Sequence, residues 1–337
     1  MLRELSEYMG VSGGEQRIRA FIKEQIKDDV DEMIEDAYGN LIVKKGKVTA
    51  LRILLTAHMD EVGFIITGIE KSGLLRFATI GLAPQVLYAK RVVIGEKAIP
   101  GVIGHKPVHQ VKHEETEKLV ETKDLFIDIG VSSKDEAKKH VGIGELGTFC
   151  TEFREVGETI FGKAFDDRIG CYMLMEVIKK TSVPLYCAFT VQEEAGLRGA
   201  RIAAYRVNPQ VAIAVDATAS GEWPEEKDVP LYPEIGKGPV ITIADRSLIC
   251  DRELVALLEH TAQKHAIPYQ FKKPMIGGTD AGAIHLTREG VRAVAVQTPA
   301  RYIHSPLAIA NKKDIKAGIK LLTSSIEAIA QKESQWS

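Results

Sequence analysis

Two histidines and a set of acidic residues stand where apolar runs of this 337-residue chain stop, and their types suit metal-assisted hydrolysis. His58 and Asp60 end the run Ile53 to Ala57, and Glu193 and Glu194 end the run Leu185 to Val191. Asp216 closes Val211 to Val215, His304 follows Val291 to Val296, and Asp166-Asp167 begin a helix-like stretch. In an open α/β sheet the carboxyl ends of the strands line a common crevice, so side chains far apart in sequence converge there. Carboxylates and imidazoles crowded into such a crevice are poorly solvated, and the carboxylates repel one another unless cations sit between them. The expectation is a dinuclear metal site in a hydrolase.

Each residue has a chemical reason and a plainer alternative. Residues two apart on an extended segment face the same side, which lets Asp60 accept the second imidazole N–H of His58 and hold the tautomer that ligates metal. An H-x-D pair is equally what a solvated strand end looks like. Glu193-Glu194 is sharper, because Ala195-Gly196 permits an abrupt turn and adjacent carboxylates then need not point to opposite faces. One can ligate metal while the other takes a proton from water acidified by the cation. Asp is favoured at helix N-caps, so within Asp166-Asp167 one residue can cap while the other bridges two cations through its two oxygens. Taken singly, Asp216 reads as a turn aspartate and His304 as a core or loop histidine.

Other patterns point away from competing chemistries. Gly142-Ile-Gly144-Glu-Leu-Gly147 matches G-x-G-x-x-G, but a strand-like segment follows it where a dinucleotide site needs a helix. His105, His109 and His113 are four apart, yet Pro107 breaks any helix that would align them, so they read as loop histidines. Neither a G-x-S-x-G elbow nor an H-E-x-x-H motif occurs. A net charge of -2 supplies no basic excess for a nucleic-acid partner. No apolar run approaches the roughly 20 residues of a membrane span, and the first residues lack the apolar core of a signal peptide. Cys150, Cys171, Cys187 and Cys250 are isolated from one another, which fits reduced thiols in a cytoplasmic enzyme.

The elements that must position these residues are those of a mixed, mostly parallel α/β sheet flanked by helices. Ile18, Phe21, Ile22 and Ile26 recur at helical spacing, Leu41 to Val43 is a short strand after a turn at Gly39-Asn40, and Ile53 to Ala57 reads as a buried parallel strand. From residue 66 to 161 short β-prone pieces are broken by Gly and Pro, which predicts an inserted β-rich module between two parts of one domain, 1–65 and 162–337. Helix and strand then alternate: helix 168–179, strand 185–191, helix 197–205, strand 211–215, helix 251–265 and strand 291–296. Ile315, Ile319, Leu322, Ile326 and Ile329 make a closing helix.

In this order, six segments resemble the tetrahedral (TET) and glutamyl aminopeptidase family of cocatalytic metallopeptidases. They are Thr56-Ala-His-Met-Asp-Glu-Val-Gly63, Ala164-Phe-Asp-Asp-Arg168, Val191-Gln-Glu-Glu-Ala-Gly196, Val215-Asp-Ala-Thr218, Gly277-Gly-Thr-Asp-Ala-Gly282 and Arg301-Tyr-Ile-His-Ser-Pro306. The resemblance implies that His58 and Asp216 hold one divalent ion, Glu194 and His304 the other, and Asp166 bridges both, with zinc or cobalt the expected metals. It makes Glu193 the general base and Asp60 the partner of His58, and it places a cis bond at Asp166-Asp167. Gly277, Gly278, Thr279 and Asp280 correspond to the family's substrate-lining loop. The inserted module corresponds to its dimerisation domain, in dimers or twelve-subunit shells. Two dications against Asp166, Glu194 and Asp216 leave one positive charge, which a bridging hydroxide neutralises, and such a site stabilises a developing oxyanion. The implied function is removal of N-terminal residues from peptides. An N-deacylase or dipeptidase of related architecture and a non-catalytic oligomeric scaffold remain the alternatives; a glycosidase pair of carboxyl groups needs no histidine ligands.

Overall fold

Apolar residues at helical spacing shape the start of the chain, and fully buried strands follow. The computed structural model describes residues 1–47, 50–107, 120–221, 232–272 and 275–336. Helices α1 (Leu2–Glu7) and α2 (Gln16–Ile26) come first, and Ile18, Ile22 and Ile26 form the buried stripe of α2. β1 (Glu32–Glu35) and β2 (Leu41–Lys45) pair as a hairpin. Its turn is organised by Asp36, whose carboxylate accepts from the amides of Tyr38, Gly39 and Asn40. β3 (Ile53–His58) is buried at every residue.

Six strands then close into a barrel. They are β4 (Gly63–Ile69), β5 (Leu75–Ile80), β6 (Arg91–Ile94), β7 (Ile99–His105), β8 (Leu125–Asp128) and β9 (Leu146–Phe149), in the order β4-β5-β8-β7-β6-β9. Helix α3 (Lys134–His140) precedes β9, and Phe64, Ile66, Leu75, Ile103 and Ile127 lie in the barrel core. Closure leaves no free sheet edge. The G-x-G-x-x-G run leads into β9, so it opens no helix. His105 pairs with Leu125 at the end of β7, so it is a strand residue and not a loop residue; His109 and His113 lie outside the described residues.

The remaining elements alternate. They begin with β10 (Arg154–Val156), β11 (Thr159–Gly162), α4 (Phe165–Lys180), β12 (Leu185–Thr190), α5 (Arg198–Val207) and β13 (Val211–Ala219). Then come β14 (Val240–Thr242), α6 (Arg252–Lys264), β15 (Gln270–Lys272), α7 (Asp280–Ile284), β16 (Arg292–Ala300), β17 (Ala308–Asn311), α8 (Lys312–Gln331) and α9 (Glu333–Trp336). β10 and β11 form a small sheet with β17 and do not pair with the barrel, although the sequence limits 66–161 group them with it. The main sheet has eight strands in the order β1-β2-β12-β3-β13-β16-β14-β15. Its central four, β12, β3, β13 and β16, run parallel, so their carboxyl ends emerge along one edge. Helices α4, α6 and α8 pack on one side of this sheet, and α5 and α7 on the other.

β13 corrects one sequence expectation. It does not stop at Val215 but continues through Asp216 to Ala219, because β16 pairs with it residue by residue from Arg292 to Ala300. Asp216 is therefore a strand residue opposite Gln297, not a turn residue. No helix among the described residues is long and apolar enough to cross a membrane.

Candidate metal centre and active site

The parallel strands deliver the acidic and histidine residues to one place. His58 ends β3, and its Nε2 lies 3.0 Å from Asp166 Oδ1. The other oxygen of the same carboxylate, Asp166 Oδ2, lies 3.2 Å from Nε2 of His304, which arrives from beyond β16. One carboxylate thus stands between two imidazoles with one oxygen for each. Glu194 Oε2 is 3.5 Å from His304 Nε2, and Asp216 Oδ1 is 3.8 Å from His58 Nε2. Glu193 Oε2 is also close, 3.9 Å from that His58 nitrogen. Ligand atoms of His58, Asp166 and Glu194 lie within 4.8 Å of one another, as do those of His58, Glu193 and Asp216.

The two aspartates at the start of α4 divide their work. The Asp166-Asp167 peptide is cis, and neither residue has helical backbone angles. Asp167 Oδ1 accepts the Gly170 amide at 2.9 Å, the bond an N-cap makes to the third residue of its helix, and Oδ2 accepts the His58 amide at 3.1 Å. Asp167 therefore caps the regular helix and ties it to β3, which leaves the Asp166 carboxylate facing the cluster.

Asp60 lies beside His58 and holds a second segment as well. His58 Nδ1 is nearest the main-chain oxygen of Asp60 at 3.1 Å, with the carboxylate at 3.5 Å. That buried carboxylate also accepts from the Ser12 hydroxyl at 2.6 Å and from the amides of Glu193 and Glu194 at 3.0 and 3.1 Å. Asp60 thus pins the backbone of the adjacent glutamates, a link the sequence does not announce. Also unannounced is the buried Glu61 carboxylate, which takes bonds from Lys163, Arg168 and Thr148 and joins α4, the barrel and the turn after β3.

Charge crowding is visible in every proton affinity. Burial is the largest influence on Glu194, Asp166 adds repulsion, and together they push the carboxyl up to about 8. Burial, joined by repulsion from neighbouring carboxylates, also raises Glu193 and Asp216 well above the usual carboxylate range. Burial opposes a charge on the histidines, but their acidic neighbours win: His58 is raised well above its ordinary value and His304 to about 9. Asp166, also opposed by burial, is held far below its ordinary value by bonds from both imidazoles. Oε1 of Glu194 is buried with no hydrogen-bond partner among the described residues. Imidazoles and carboxylates of this kind accept several divalent ions, and the clustered donors, with an orphaned oxygen among them, fit such ions.

A cavity of about 360 Å³ opens beside the cluster, lined by Asp166, Glu193, Glu194, Asp216 and His304 on one side and by Lys272, Ile276, Gly277, Gly278 and Gln297 on the other. Of the loop expected to meet substrate, Gly277 and Gly278 line this cavity, whereas Thr279 and Asp280 are buried away from its lining. The reason is local: α7 begins there, and Asp280 turns inward to accept the Thr190 hydroxyl at 2.6 Å. Lys272, at the end of β15, carries no spacing signal in the sequence.

A sequence profile of M42 glutamyl aminopeptidases matches residues 39–321, most of the chain and all the clustered residues. The chain belongs to the M42 glutamyl aminopeptidase family. It is thus a member of a family of peptide hydrolases. A provisionally named aminopeptidase of Acetivibrio thermocellus is 42% identical over 331 residues, covering 97% of each chain. The M42 fold is also that of the TET aminopeptidase from a marine sediment Thaumarchaeota archaeon, with a TM-score of 0.92, 36% identity and coverage of 97% of this chain and 98% of that one. The TET1 peptidase of Pyrococcus horikoshii, described as assembling into a tetrahedron or a large octahedral shell, matches with a TM-score of 0.86 and 37% identity over 96% of this chain and 97% of its own.

Proposed function

We propose that this M42 protein is a dinuclear metal-dependent aminopeptidase whose general base is Glu193. The observation that carries the reading is Asp166, set between two imidazoles with one oxygen toward each. His58 and Asp216 would hold one ion, Glu194 and His304 the other, and Asp166 both. When bound, two divalent ions would supply Lewis acidity, ease the deprotonation of water so that it can attack a carbonyl, and offer a ligand position to the free α-amine of a peptide. Glu193, half-buried on the cavity wall, takes the proton from the attacking water and returns it to the leaving amine. Asp60 fixes the amides of Glu193 and Glu194 so that base and ligand keep separate directions.

The cavity also speaks to the N-terminal side chain. Lys272 is only 6% exposed, and among the described residues no carboxylate reaches its ammonium. A buried cation is costly unless it is paired, so an acidic side chain entering the cavity would gain a counter-charge there. The free thiols of Cys171, Cys187 and Cys250, all buried, support a reducing, cytoplasmic setting. The assembly described for the Pyrococcus horikoshii peptidase supports a homo-oligomer here, with the barrel as the dimerisation module.

Replacing Glu193 by Gln in zinc-loaded protein tests the mechanism. The expected loss in kcat is about a hundredfold to ten-thousandfold with metal content unchanged, and full activity would remove Glu193 as the base. Comparing free-amine with N-acylated peptides separates an aminopeptidase from a deacylase, since only the first class presents an amine to the metal.

A further inference from the structure

The barrel side of the molecule reaches the metal centre at Gly81. The main-chain oxygen of Gly81, just past β5, accepts from Nδ1 of His304 at 3.0 Å, across 223 residues of chain. A histidine that donates through Nδ1 to a carbonyl presents an unprotonated Nε2 for ligation. Nε2 is the atom that faces Asp166 and Glu194. His304 itself sits at φ +55°, a conformation that its own backbone does not favour and that contacts must maintain. Gly81 touches Glu194 as well: a Cβ there would lie 2.9 Å from Glu194 Oε2 and 2.5 Å from Val62 Cγ1. Its φ of +69° also favours glycine.

The other pair of ligands has local support. His58 Nδ1 meets the carbonyl of Asp60, two residues along its own segment, and Asp216 Oδ1 accepts the amide of Ala217. His58 and Asp216 are therefore oriented from within the main sheet, whereas His304 is oriented from the barrel side.

We propose that Gly81 is a positioning residue for the Glu194–His304 pair, so that the barrel governs how firmly one of the two ions is retained. The proposal rests on the dinuclear reading and adds an asymmetry to it. A methyl at position 81 pushes on the Glu194 carboxylate and shifts the carbonyl that orients His304. The consequence is selective, because neither effect touches His58 or Asp216.

Zinc and cobalt binding to chelator-treated full-length protein, followed by calorimetry and by the cobalt absorption spectrum, supplies a readout independent of turnover. Wild type should take up two ions per chain. Gly81→Ala should keep one at wild-type affinity and bind the other about tenfold or more weakly, with one set of cobalt bands altered. The added Cβ also strikes Val62, so the double variant Val62→Ala/Gly81→Ala relieves that clash and keeps the measurement possible if the single variant folds poorly. It should show the same selective loss, while Val62→Ala alone keeps both ions. Two ions bound normally by the double variant, or both weakened alike, would overturn the proposal. A wild-type chain that holds fewer than two ions would refute the dinuclear reading and the asymmetry with it.

Discussion

At the scale of residues, Lys272 lines the same cavity as the crowded carboxylates. If the ammonium of Lys272 pairs with the substrate, Lys272→Met should lower kcat/KM for peptides with N-terminal Glu or Asp by about tenfold or more, roughly 1.4 kcal/mol of transition-state binding, and leave Ala or Leu peptides almost unchanged. Equal losses on all substrates would remove this residue from recognition. Proton affinities make a second prediction. In the metal-free fold Glu194 stands at about 8 against an ordinary 4.5, and His304 at about 9 against 6.5. Both groups hold protons more tightly in the folded than in the unfolded chain, so stability falls as pH rises. For Glu194 the decline starts near 4.5; for His304 the contribution is complete below 6.5 and is lost as pH passes about 9. Chelated protein should therefore melt at a lower temperature at pH 9 than at pH 6. Zinc should raise the melting temperature more at the higher pH, because ligands must shed protons to bind it. A melting temperature of the chelated protein that climbs over that interval would contradict these assignments.

At the scale of elements, the exit from β12 is a tight joint. Gly199, in the first turn of α5, lies so near the preceding strand exit that a Cβ would meet Val191 O and Asn40 Oδ1 at 2.4 Å. Gly199→Ala should cost about 1–3 kcal/mol in urea unfolding, and a neutral result would show that this turn yields easily. Strand exits were also the most legible part of the sequence. His58, Glu193 and Glu194 stand out because a buried apolar run ends abruptly at each, and α2, α4 and α8 announce themselves by long apolar stripes. Asp216 was legible as a residue but not as part of a strand, since its pairing is imposed by β16, about eighty residues later. β1, β14, β15 and β17 are too short to display a period. The contacts of Asp60 with the Glu193 and Glu194 amides, and of Gly81 with His304, join segments whose proximity no local pattern encodes.

At the scale of the whole molecule, the barrel carries its own apolar core, separate from that of the main sheet. If it joins subunits, light scattering at micromolar concentration should give at least twice the 37.0 kDa of the chain, and a monomer there would argue against the assembly. The order of the clustered residues has a consequence for the life of the chain. His58 belongs to the first fifth of the polypeptide and His304 to the last tenth. During synthesis the first imidazole leaves the ribosome long before its counterpart exists, so a partly made or prematurely terminated copy lacks part of the machinery for cutting peptides. On the proposed mechanism, peptide cutting would begin only once the chain is whole.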